Sequence, residues 1–142
     1  MKCICFGYMD ATKSGAMSER ELSAALAECF EYDNGLRQKG ELVGGEVLQE
    51  AHSAKTLRQR NGKVSVADGP FADNKEQLAG MLSLEARDIE HAVRLMSGHP
   101  SVRMGMSWEI RPVADMTAIM AGGEGRHSAG KEQRSSSKRV RR

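Results

Sequence analysis

Asp68, His99, Glu109 and Arg111 stand where acid–base or ion-pair chemistry is available in this sequence. Asp68 opens the run Asp68-Gly69-Pro70-Phe71, and a carboxylate beside Gly-Pro sits on a stiff turn that can aim it into a cleft. Partly desolvated, it would serve as a general base. The alternative is an Asx turn in which the carboxylate caps its own backbone, with Phe71 as a packing anchor beneath the loop. His99 lies between Gly98 and Pro100. An imidazole there can shuttle protons near neutral pH, or it can simply meet the free carbonyls at the end of a helix. Glu109 and Arg111 alternate with Trp108 and Ile110. If the apolar pair faces helices, the charged pair faces the other side of a sheet. Arg111 can then hold a carboxylate bidentately, or the two charges fix an interface through salt bridges.

The remaining candidates carry less. His91 falls opposite Ile89, Val93 and Met96 on a helical wheel and is expected in solvent; His52 and His127 receive no role. Cys3 and Cys5 share one strand face, where disulfide geometry is poor, and read as small buried hydrophobes. Phosphate loop, dinucleotide fingerprint, nucleophile elbow and metal-ligand spacing are all missing, so neither metal nor cofactor is expected.

The elements that must position these residues follow from periodicity. Residues 2–8 alternate as a strand. Ser18 with Glu21 forms a capping box, and Leu22, Ala25, Leu26, Cys29, Phe30 and Leu36 predict one apolar stripe on a helix stopped by Gly40. Residues 42–48 read as a strand whose glycines suggest a bulge or a close backbone approach. Asn61-Gly62, between residues 55–60 and 63–67, is a hairpin turn. Residues 73–77 allow one helical turn, and 78–86 a buried strand. Asp88 caps a second helix that buries Ile89, Ala92, Val93 and Met96 and ends at Gly98. Residues 108–113 close the body as an edge strand. The expected class is α+β, in the order β-α-β-(hairpin)-β-α-β: a ferredoxin-like pattern with an antiparallel sheet and both helices on one face. The other face is left open, and a second copy packing on it is the economical cover.

The chain has 142 residues, suiting one domain, and its 39% hydrophobic content falls below the globular norm of about 45–50%. Residues 124–142 hold seven bases and two acids, so the net charge of +2 divides into +5 for the tail and −3 for the body. The body thus has no basic surplus for a phosphate backbone, and nucleic-acid binding is not expected of it. We divide the chain into a domain over 1–120 and a disordered basic tail over 121–142, too poor in apolar residues to offset its ordering entropy. No apolar run approaches the ~18 residues of a membrane span, the start does not read as a secretory signal, and three cysteines cannot all pair. A cytoplasmic location is expected.

The run from Asp68-Gly69-Pro70-Phe71 to Gln77-Leu78-Ala79-Gly80 resembles the hallmark of the YCII-related, or DGPF-domain, family. Lys2, Leu42-Val43-Gly44-Gly45, Glu85-Ala86, His99-Pro100, Gly105 and Glu109-Ile110-Arg111-Pro112-Val113 support it in order over residues 1–113. The resemblance implies a dimeric α+β barrel, two ferredoxin-like units joined through their sheets. It also implies a cleft near the dimer interface, in some relatives holding a His–Asp pair. Where some relatives have a His in helix one, this chain reads Leu26-Ala27-Glu28-Cys29-Phe30-Glu31-Tyr32 and has none.

The expected protein is therefore a homodimer with an interfacial small-molecule cleft for a small carboxylate or lactone. Its chemistry would be cofactor-free lactone or enol isomerisation or hydrolysis, with Asp68 as base, His99 as proton shuttle, and Arg111 with Glu109 binding the ligand. The alternative is a non-catalytic ligand-sensing or protein-binding module linked to an extracytoplasmic-function sigma factor.

Overall fold

The computed structural model describes residues 1–14 and 16–122. Two compact units follow one another, Met1–Pro112 and a second beginning at Val113. The expected basic tail lies outside the described residues from 123 onward.

The first unit is mixed α+β. Its elements are β1 (Lys2–Asp10), α1 (Ala11–Ser14), α2 (Glu19–Gln38), β2 (Leu42–Val47), a 3-10 turn (Ala51–Ser53), β3 (Lys55–Arg60), β4 (Lys63–Asp68), β5 (Glu76–Glu85), α3 (Ile89–Ser97), α4 (Pro100–Arg103) and β6 (Ser107–Pro112). Four strands form an antiparallel sheet in the order β2-β5-β1-β6, while β3 and β4 form a separate two-stranded hairpin. The second unit's described element is α5 (Met116–Ala121), capped by the Asp115 carboxylate, which accepts from Ala118 N at 3.2 Å.

Local signals placed most boundaries. Ser18 Oγ accepts from Glu21 N at 3.1 Å, starting α2. At its end Gly40 takes φ +74, Gly40 N bonds Arg37 O and Glu41 N bonds Leu36 O, a Schellman closure. Asn61 and Gly62 both have positive φ, as the hairpin turn requires. Asp88 Oδ1 accepts from His91 N at 2.7 Å, starting α3. Residues 73–77 form no helical turn; the chain stays irregular there and β5 begins at Glu76.

The core lies on one face of the sheet. Cys3 and Cys5 of β1, Leu84 of β5 and Leu42 of β2 are buried against Leu36 of α2 and Ala92 and Met96 of α3. Leu84 is fully enclosed, and cutting such a leucine to alanine costs about 2–5 kcal/mol. The expected α2 stripe is only half right. Ala25 and Leu36 are buried, but Leu22, Leu26 and Phe30 are 42%, 45% and 57% exposed. The six apolar residues span too wide an arc for one contact line, and Tyr32 and Asp33 take the inward position instead. On α3, Val93 is likewise 47% exposed.

The opposite sheet face is ordered in rows by the strand register. Gly44, Ser83, Ile4 and Arg111 form one row; Glu46, Met81, Phe6 and Glu109 form the next. A bulge between Gly7 and Tyr8 then sets Tyr8 opposite Leu78.

Candidate functional site

The structure places the four expected site residues in three separate parts of the fold. Asp68 ends β4 on the hairpin, 84% exposed, with its carboxylate paired to Lys55 Nζ. Glu109 and Arg111 are exposed on the open sheet face, and strand alternation sets them opposite Trp108 and Ile110. His99 is buried on the helix side, only 4% exposed. Among the described residues no hydrogen bond or ion pair joins Asp68, Glu109 or Arg111 to His99.

His99 instead finds partners that the sequence reading did not choose. It is the N-cap of α4, and its Nδ1 accepts from Ser101 N at 3.2 Å. Nδ1 therefore holds a lone pair, and the imidazole proton sits on Nε2, 3.0 Å from Asp33 Oδ1 on α2. Trp108 Nε1, a donor only, lies 2.8 Å from Ser101 Oγ. Ser101 thus accepts from the indole and donates its own proton to His99 Nδ1, 2.6 Å away. Donation runs from Trp108 through Ser101 and His99 to the Asp33 carboxylate, which accepts. Tyr32 meets the imidazole edge-on at a centroid distance of 5.3 Å, and Trp108 stands at 5.6 Å.

Two glycines make room for this assembly. A Cβ on Gly7 would lie 2.8 Å from Trp108 Cη2, so the indole reaches Ser101 only because β1 is bare there. A Cβ on Gly98 would lie 2.7 Å from the Tyr32 hydroxyl, which donates to Leu95 O at 2.5 Å.

A second pair repeats the arrangement. His91 Nδ1 accepts from Arg87 N at 3.0 Å, and its Nε2 lies 3.1 Å from Glu41 Oε2, with both side chains 16% exposed. His91 is therefore not the solvent-facing residue expected. Glu85 N bonds Glu41 O at 2.8 Å and brings Glu41 to the start of α3, a long-range contact that helical periodicity does not encode. Burial raises the Tyr32 hydroxyl pKa, and the negative charges of Glu41 and Asp33 add to it. Burial, with Asp33 and Glu28 nearby, also raises the Cys29 thiol, offset in part by a hydrogen bond from the Ser101 backbone.

Asp33 is the outward member of the main pair, with 16% of its side chain exposed, and among the described residues no hydrogen bond engages its Oδ2. The arrangement can hold a carboxylate rigidly with one oxygen free, as an acceptor or base. Asp33 was legible only as a polar residue four positions after Cys29, on the inward side of α2. No cluster of His, Cys, Asp and Glu among the described residues has a metal-holding arrangement. No helix among them is long and apolar enough to cross a membrane.

Fold and site together define a small α+β domain with a buried histidine–carboxylate pair beneath its helices. The family model of the YCII-related domain matches residues 1–117, and the chain belongs to that family. It is similar to an uncharacterized protein of Rhizobium meliloti (strain 1021), 30% identical over 111 residues, or 75% of this chain and 87% of the relative.

Proposed function

We propose that this YCII-family chain performs cofactor-free acid–base chemistry on a small organic molecule, with Asp33 as the proton acceptor and His99 as its positioning partner. The observation that carries the reading is the His99 Nε2–Asp33 Oδ1 contact of 3.0 Å, locked from behind by Ser101 and Trp108. Lactone or enol isomerisation suits it. The free carboxylate oxygen removes a proton from the carbon next to the carbonyl and returns it to the γ carbon, two carbons along, as the double bond moves into conjugation, while the imidazole N–H holds the other oxygen. We assign the base role to Asp33 rather than to Asp68, whose carboxylate is exposed and already paired with Lys55.

We further propose a cytoplasmic, ferredoxin-like homodimer, closed as a dimeric α+β barrel through the open sheet faces. The rows there support it. Ile4, Phe6 and Met81 form an apolar centre flanked by Glu46 on one edge and Glu109 and Arg111 on the other. A two-fold axis lets Arg111 of each copy meet an acid of its mate, or anchor a small carboxylate between them.

The test is the conversion of α-angelica lactone to its conjugated isomer, followed by ultraviolet absorbance. Wild type accelerates it, and Asp33→Asn loses about 10²–10⁴ of that acceleration. The amide oxygen still accepts from His99, so the fold survives. An unchanged rate in Asp33→Asn, or no acceleration by wild type, ends the reading.

A further inference from the structure

A cleft of about 670 Å³ opens where the Gly-Pro-Phe loop meets the sheet, and His99 is not among the residues that line it. Its floor is Tyr8 and Leu78, set opposite each other by the bulge between Gly7 and Tyr8. Bulges of this kind re-aim side chains beside functional sites. One wall is the segment from Leu48 to Thr56, which carries the 3-10 turn. The other is Pro70 to Asn74.

Both walls are held by their own hydrogen bonds. Gly69 N donates to Ala54 O at 2.7 Å, and Thr56 Oγ1 donates to Gly69 O at 2.9 Å, closing the base of the hairpin. Gln77 Nε2 donates to Ala72 O and Asn74 O, each at 2.8 Å, which pins the loop after Phe71. The cleft is thus formed before any ligand arrives, and its volume lies within the ~300–1,000 Å³ typical of small-molecule sites.

The chemistry of the lining selects the ligand. Phe71 is 75% exposed, an unusual state for a phenyl ring, and its ring is covered by the Arg58 guanidinium at 4.6 Å. The charged lining residues Glu50, Lys55 and Glu76 are all exposed. Lys55 is paired with Asp68, Glu50 lies 3.2 Å from His52, and Glu76 accepts from Ser107 at 3.4 Å. These side chains and Arg58 all stand in solvent, where water and salt leave an ion pair worth little, so an ion gains little from them. The Tyr8 hydroxyl has no hydrogen-bond partner among the described residues and is left to serve one polar group.

We propose that this cleft binds an uncharged, flat, largely apolar small molecule, with its ring against Phe71 and its polar edge at the Tyr8 hydroxyl. The site lies within one chain and does not depend on the acid–base reading at Asp33.

The experiment is a titration of the full-length protein with β-naphthol at pH 7, read by amide chemical shifts. β-Naphthoate and β-naphthylmethylammonium serve as ionic matches. β-Naphthol shifts the amides of Thr56, Phe71 and Leu78 saturably, and the two ions bind at least about tenfold more weakly, because the solvent-exposed charges of the lining offset little of their lost hydration. Phe71→Ala weakens β-naphthol at least about tenfold, and the exposed ring makes misfolding of that variant no concern. Tyr8→Phe weakens it about threefold to tenfold, the worth of one neutral hydrogen bond. An ion binding as tightly as β-naphthol, shifts confined elsewhere or absent, or an unchanged affinity in Phe71→Ala would overturn the proposal.

Discussion

Gly7→Ala should unseat the indole that completes the His99 network. The new methyl would stand 2.8 Å from Trp108 Cη2, 2.9 Å from Trp108 Cζ3 and 2.8 Å from Met106 Cε. The methionine end can swing away, but the rigid indole must tilt. Overpacking of this kind costs about 1–3 kcal/mol. Tilting also lengthens the 2.8 Å bond from Trp108 Nε1 to Ser101 Oγ, whose loss adds about 1 kcal/mol. The reduced freedom of the unfolded chain returns about 0.5 kcal/mol. The net expectation is about 2–3 kcal/mol, or a melting point lower by about 10 °C. Gly44→Ala is the matched control, since its Cβ would meet only Ser83 Cβ at an ordinary 3.8 Å. Trp108 is the only tryptophan, so urea unfolding followed by its fluorescence gives both the stability and the local environment. The reasoning is refuted if Gly7→Ala costs no more than Gly44→Ala and leaves the native emission maximum in place.

Burial, with the neighbouring Cys3 thiol, pushes the Cys5 thiol up to about 12, so it stays protonated in the fold while an unfolded thiol ionises near 9. Its contribution to stability should be whole below about pH 9 and lost as pH rises toward 12, as urea titrations at stepped pH will read. In the same folded protein Cys3 and Cys5 should resist a thiol-specific disulfide reagent at pH 8 and react only on unfolding; prompt labelling would contradict their complete burial. The dimer should sediment at about twice the chain's 15.5 kDa, burying more than ~1,000 Å², and Phe6→Glu should reduce it to the monomer; a wild type found only at 15.5 kDa sinks it.

The local grammar of the chain was decided by the sequence itself. The Ser18 and Asp88 caps, the Gly40 stop and the Asn61-Gly62 turn each depend on groups within a few residues, so residue type alone places them. The alternation of Trp108 and Ile110 with Glu109 and Arg111 likewise needed only the period of a strand. The Asp68-Gly69-Pro70-Phe71 run was legible as a feature, and the resemblance built on it led to the right family. What packs against what could not be read that way. The sheet order β2-β5-β1-β6 puts the strands of distant segments side by side. Asp33 and His99 are 66 positions apart, and their contact exists only once α2 and the α3–α4 turn share a sheet face. Leu22, Leu26 and Phe30 fit a helical stripe yet stay exposed, while polar Asp33 turns inward, because the sheet can cover only one arc of α2. Periodicity tells which residues share a face. Only the tertiary structure decides which face is buried, and a histidine's partner is chosen by that burial, which makes an unpaired imidazole or carboxylate too costly to leave in place.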